Sequence, residues 1–302
     1  MTRRAMPPTT EALRRSGPRR VARLALLAFA ASLSPVLALP IEEGKLVTFE
    51  VRGEKVQAHH VRPAAAGFHA GVVIIHEWWG LNGQIKGVAE RLAGEGYVVI
   101  VPDLFRGKLG TDAGWAYQLE RELNESWAVD VIGAAADWLR TTASRVAGRP
   151  RGQKMPVATL GFGMGGKLSL AAALEGKEIQ AAVIFYGSVE SGMEALRSLS
   201  VPLLGIFADE DHDIPREQVK AFETALKGAG KDATIIIYRG VGHSFFNETR
   251  PNYEKSGAKI AWERTVEFLK EKIGAPAVAG PKGQNPPPPT PPARDLKEPS
   301  GG

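Results

Sequence analysis

The stretch Val157-Ala158-Thr159-Leu160-Gly161-Phe162-Gly163-Met164-Gly165-Gly166 sets the architecture expected of this chain. Val157 to Leu160 read as a short buried strand, the glycines as a tight turn, and a helical pattern begins near Lys167. Strand, turn and helix in that order form the setting of the nucleophile elbow, G-x-Ser/Cys-x-G, which lifts one reactive side chain above a sheet. The central position here is Gly163, which has no side chain. The stretch keeps the scaffold of covalent catalysis and lacks its nucleophile.

Similar apolar runs lie on both sides of it. They are Val72–Ile75, Tyr97–Val101, Ala181–Tyr186, Leu203–Phe207 and Thr234–Tyr238, each bounded by turn residues. Runs without polar alternation suit strands covered by helices on both faces of a parallel sheet. Amphipathic stretches separate them, including 84–94, 126–146, 216–226 and 258–272. Residues 46–61 read instead as a hairpin around Arg52-Gly53-Glu54-Lys55. The expected fold is α/β: a doubly wound, mostly parallel sheet with an antiparallel hairpin at its N-terminal edge. In such sheets ligands bind at the carboxyl ends of the strands. The candidate site positions are therefore His76-Glu77, Gly163, Asp211 and His243.

The ends are different material. Residues 1–40 hold seven arginines and one acid, so they contribute +6 of the net +5, and the other 262 residues carry −1. That balance gives no electrostatic argument for binding nucleic acid. An arginine-rich segment, the apolar run Leu24–Ala31 and the small residues Val36 and Ala38 read as a cleaved signal peptide over residues 1–38. The expected location is the periplasm or the exterior, with no stable membrane span after signal removal. Residues 39–274 form the expected domain, and 275–302 a proline-rich tail with Pro286–Pro289. That tail is passive or meets a weak polyproline-binding partner. The chain has no cysteine, which excludes disulfides and thiolate chemistry.

Five motifs follow the buried runs in order. They are His76-Glu77-Trp78-Trp79-Gly80, Pro102-Asp103-Leu104-Phe105-Arg106-Gly107, Gly161-Phe162-Gly163-Met164-Gly165, Asp209-Glu210-Asp211-His212-Asp213 and Gly242-His243-Ser244-Phe245. This ordered set resembles the dienelactone hydrolase family, over roughly residues 45–272. The resemblance implies the α/β-hydrolase fold and hydrolysis of a small ester or lactone. It places the nucleophile position at Gly163, the acid at Asp211 and the base at His243. It also puts backbone oxyanion donors at Trp78 and Met164, and the glutamate beside the resting nucleophile at Glu77. Trp79, Arg106, Phe162 and Asn247 fall at substrate-pocket positions. Two departures stand out: Asn247 replaces a substrate-binding arginine of the family, and Arg106 is offset by one residue from the other.

Without a side chain at position 163, a conventional acyl-enzyme is excluded there. Ser169 and Ser188 are poorly placed substitutes. Water activated by His243, with Asp211 behind it, keeps hydrolysis open, and Glu77 is a second candidate base. The rival is a non-catalytic protein of the same fold that binds a small ligand or partner. A remote alternative is nucleotide binding, because Gly161-x-Gly163-x-x-Gly166 formally matches a dinucleotide fingerprint. No cofactor and no metal is expected, since Asp209, Asp211, His212 and Asp213 show no ordered ligand spacing.

Overall fold

The computed structural model describes residues 38–65, 67, 69–141, 154–189 and 192–274. Residues 1–37 of the expected signal peptide (1–38) and the proline-rich tail lie outside the described residues. Among the described residues the strands are β1 (Lys45–Val51), β2 (Glu54–Val61), β3 (Gly71–Ile75), β4 (Val98–Pro102), β5 (Val157–Phe162), β6 (Ala181–Phe185), β7 (Leu203–Ala208) and β8 (Ala233–Tyr238). Interleaved with them are α1 (Gly83–Gly94), α2 (Ala113–Glu122), α3 (Glu125–Thr141), α4 (Met164–Leu174), α5 (Met193–Leu196), α6 (Arg216–Gly228) and α7 (Lys255–Ile273).

The strands form one sheet in the order β1-β2-β4-β3-β5-β6-β7-β8. From β4 to β8 all pairs are parallel, while β1–β2 and β2–β4 are antiparallel. This is the doubly wound sheet with an N-terminal antiparallel hairpin expected from the sequence. The hairpin closes through two residues, because Val51 pairs with Glu54. Arg52 and Gly53 both take positive φ, 50° and 80°, as a twist-matched two-residue turn requires.

Successive side chains of a strand point to opposite faces, so each central strand feeds two cores. Val73 and Ile75 join Trp127, Ile132, Leu168 and Val219 on the side of α3, α4 and α6. Val72 and Ile74 join Ile85, Leu92, Trp262 and Leu269 on the side of α1 and α7. The last apolar run differs from the expectation of burial on both faces. β8 is the sheet's edge, and its residues are mostly half-exposed. Switching from β4-β3 to β5 opens the crevice at the carboxyl ends of β3 and β5, where this fold class carries its ligands.

Candidate functional site

Chain geometry at the crevice is set by the glycine turn. β5 runs directly into α4, which starts at Met164, three residues before the expected start at Lys167. Gly163 is the N-cap, with φ 53° and ψ −117°, a conformation that L side chains rarely adopt. Its N–H donates to the Phe185 carbonyl (2.9 Å), tying the turn to β6. Its own carbonyl accepts from Gly166 N–H (2.9 Å) and Lys167 N–H (3.2 Å).

The flanking glycines have a different reason to be there. A Cβ on Gly161 would sit 1.9 Å from the Gly165 carbonyl oxygen, and one on Gly165 would sit 2.2 Å from the Ile75 carbonyl oxygen. These residues let backbone segments approach closely, and a Cβ on Gly166 would sit 2.9 Å from the Phe185 carbonyl oxygen, so internal packing accounts for Gly161 and Gly166 of the formal nucleotide fingerprint. Gly165→Ala is expected to cost about 3 kcal/mol or more, because backbone cannot rotate aside as a side chain can. Equilibrium denaturation measures this directly. Gly163 is not crowded in this way: its Cβ would meet only Glu77 Cγ, at 3.8 Å.

His243 follows β8 and Asp211 follows β7. Their side chains meet with His243 Nδ1 2.8 Å from Asp211 Oδ2. Asp211 is fixed because its other oxygen, Oδ1, accepts from the N–H groups of Asp213 (2.9 Å) and Ile214 (3.0 Å). Asp209, two residues earlier, instead accepts from Gly240 N–H at 2.7 Å, and His212 is exposed. With Nδ1 donating to Asp211, the Nε2 of a neutral imidazole is left as acceptor. Burial lowers the His243 pKa. The Asp211 hydrogen bond and the charges of Asp211, Asp213 and Glu77 outweigh it and hold the imidazole above its usual value. Asp211, Asp213 and His243 hold ligand-type atoms within 4.8 Å of one another, but the Asp211–His243 hydrogen bond already joins two of the three.

Glu77 is buried at the end of β3. Its Oε1 accepts from Tyr186 Oη at 2.9 Å and its Oε2 from Asn247 Nδ2 at 2.8 Å. Burial pushes its carboxyl up, opposed by these two hydrogen bonds and by the charges of His243 and Arg250. The preceding residue, His76, is fully buried and bridges two loops: Nδ1 donates to the Glu77 carbonyl (2.6 Å) and Nε2 accepts from Leu104 N–H (3.2 Å). Burial pushes the His76 imidazole down, in keeping with a neutral ring that donates at one nitrogen and accepts at the other. Gly80 N–H also donates to the Glu77 carbonyl at 3.1 Å. Among the described residues, neither Trp78 N–H nor Met164 N–H donates to a protein acceptor.

These groups share a cavity of about 420 Å³, lined by Glu77, Trp78, Gly163, Met164, Tyr186 and His243 among others. Of the substrate-pocket positions, none is on its wall. Arg106, at φ 53°, turns away to Glu54 (2.9 Å) and stacks on the Trp127 ring at 3.9 Å. It lines a separate hollow against the hairpin. Trp79 is buried beneath Trp78, with the Arg250 guanidinium 3.6 Å from its ring centre. Phe162 is buried against Phe185 and Phe246. Asn247 is buried too, and reaches the site only through Glu77.

The serines separate as well. Ser169 is buried and donates to Thr159 Oγ1 (2.8 Å), whereas Ser188 and Ser244 do reach the cavity. Sequence reasoning missed Tyr186, Tyr117, Glu120 and Lys167 on the wall. Tyr186 directly follows β6, so the strand-end rule that selected the other positions also selects it. Tyr117 and Glu120 come from α2, a helix not anticipated, although Asp112 caps it by accepting from Trp115 N–H at 3.0 Å.

Comparison with known proteins places the chain in a family. A family model described as the dienelactone hydrolase family matches residues 56–273. Protein usf of Aquifex pyrophilus is 33% identical over 238 residues, covering 76% of this chain and 99% of that protein. A protein of Escherichia coli K12 with the provisional name carboxymethylenebutenolidase is 29% identical, covering 74% of this chain and 85% of its own length. The crystal structure of a provisionally named dienelactone hydrolase from Klebsiella pneumoniae superposes with a TM-score of 0.68 at 25% identity, covering 76% of this chain and 99% of that one. The family match runs from β2 to the end of α7 and so takes in every element around the cavity: the chain belongs to the dienelactone hydrolase family.

Proposed function

We propose that this protein hydrolyses a small ester or lactone by direct attack of water, without an acyl-enzyme at position 163. The observation that carries this is the His243–Asp211 pair at 2.8 Å, sharing a cavity with a turn that offers no side chain. A water in the space beside Gly163 gives its proton to His243 Nε2 as its oxygen attacks the acyl carbon. The carbonyl oxygen becomes an oxyanion, held by the N–H groups of Trp78 and Met164. Collapse breaks the bond to the alcohol oxygen, which takes the proton back from His243. The carboxylic acid and the alcohol leave. Asp211 orients the imidazole and stabilises its charged form. Glu77 has both oxygens occupied by donors, which suits a fixed wall rather than the base.

The test is hydrolysis of simple esters and lactones by the protein and by His243→Ala. A pH profile gives a second check. Only neutral His243 accepts a proton, so the rate should rise with pH through a pKa above the ordinary histidine value of 6.5. Asp211→Asn removes the hydrogen bond and the charge that raise it most, and leaves burial, which lowers it, opposed only by the charges of Asp213 and Glu77. The acid limb should then move to lower pH, with the rate reduced by about 10²–10⁴, as when the tautomer-fixing partner of a catalytic histidine is lost.

A non-catalytic binding protein is the second reading, favoured by the room for a Cβ at Gly163 that no side chain occupies. Esters that bind without turnover would select it. The arginine-rich and apolar N-terminal segment supports an exported protein. Among the described residues no helix is long and apolar enough to cross a membrane.

A further inference from the structure

The charge on the cavity wall is uneven. Three carboxylates line it, those of Glu77, Glu120 and Asp213, against one lysine, Lys167. That lysine is already paired with Glu125, at 2.6 Å. Glu77 is occupied by Tyr186 and Asn247. Glu120 is not: half-buried near the end of α2, its carboxylate accepts no hydrogen bond among the described residues. Burial pushes its pKa up, against the charges of Lys167 and His243. A carboxylate that has lost water and gained no donor is stabilised by a cation placed beside it. Trp78, half-buried, stands on the same wall, and an indole is the aromatic ring that best attracts an organic cation.

We infer that the cavity selects ligands carrying a positive charge, with Glu120 as their anchor, so that the substrate is a cationic ester rather than a neutral or carboxylate-bearing one. The word ester rests on the proposed hydrolysis; the charge preference belongs to the cavity and does not. Glu120 is then a specificity residue that touches the non-reacting end of the substrate. A carboxylate entering with a substrate would face three carboxylates on a wall whose lysine is paired with Glu125 and whose histidine is held by Asp211.

The full-length protein is tested with acetylcholine and its neutral isostere 3,3-dimethylbutyl acetate. The ratio of kcat/KM is expected to favour the cation by about tenfold, the scale of one partly desolvated charge contact. Glu120→Gln should bring the ratio close to one, and Glu120→Asp should keep part of it. Raising the salt concentration should also shrink it. Equal kcat/KM for the two esters, or a preference that survives Glu120→Gln, would overturn the inference. Calorimetry with choline and 3,3-dimethylbutanol separates this from hydrolysis itself. Choline binding that weakens about tenfold in Glu120→Gln, with no ester turned over, upholds the cation site and removes the hydrolytic reading. Esters turned over without regard to charge do the reverse.

Discussion

Gly163→Ser is expected to raise ester turnover and to leave an acyl group on the protein. The turn already has the conformation of an elbow, with φ 53° and ψ −117°, and a Cβ there meets only Glu77 Cγ at 3.8 Å. Packing therefore does not oppose a side chain; only the backbone conformation does. Serine at such φ and ψ costs about 1–3 kcal/mol. For a domain of this size that corresponds to a fall in Tm of about 2–12 °C. In return, a hydroxyl enters the cavity that holds His243 and the two free N–H groups. Intact triads exceed water-based residual activity by several orders of magnitude, so a gain of about 10²-fold is a conservative expectation. Mass spectrometry after mixing with an activated ester would show the added acyl mass on the introduced serine of the variant and none on the native protein. A variant that folds, stays unacylated and gains no rate would show that His243 does not face position 163.

His243→Ala should abolish most of the turnover the native protein has, by about 10²–10⁴, the usual contribution of a positioned base. The fold should survive. The His243 side chain is 28% exposed, and the Asp211 it leaves behind keeps two backbone N–H donors. The comparison that matters is the double variant with Gly163→Ser. If His243 serves water in one protein and serine in the other, its removal should erase both activities, and the two substitutions should be far from additive. Native turnover unchanged by His243→Ala would sink the water mechanism and return attention to binding.

Much of the fold was readable because parallel strands buried on both faces leave continuous apolar runs. Ile74, Val99 and Leu160 all sit in such runs, and each lies in the buried sheet. Edge position is harder to read: Ile235 to Tyr238 look like central strand, yet nothing in the run itself says that, among the described residues, only β7 pairs with it. The positions of His243 and Asp211 followed from strand ends, and their roles as base and acid from the resemblance to the family. The pocket wall did not, because loop backbone decides where a side chain goes. Arg106 sits after β4 as expected, but its left-handed φ turns it toward Glu54. Trp78 and Trp79 divide between cavity and core for a similar reason, since they are the two central residues of a turn that Gly80 N–H closes onto the Glu77 carbonyl. Glu120 escaped notice because it lies near the end of a short helix, α2, and not directly after a strand.

The peptide unit is planar and trans, so an N–H points opposite the carbonyl of the same unit. Trp78 N–H shares its plane with the Glu77 carbonyl, which His76 and Gly80 grip at 2.6 and 3.1 Å. Met164 N–H shares its plane with the Gly163 carbonyl, which the first turn of α4 grips. Both donors are thus aimed from behind, by groups that no substrate touches. Neither plane has to swing when negative charge forms in front of it, and the energy of ordering them is settled when the chain folds. The tilt of a buried imidazole, His76, governs how well an oxyanion would be held on the far side of a peptide bond.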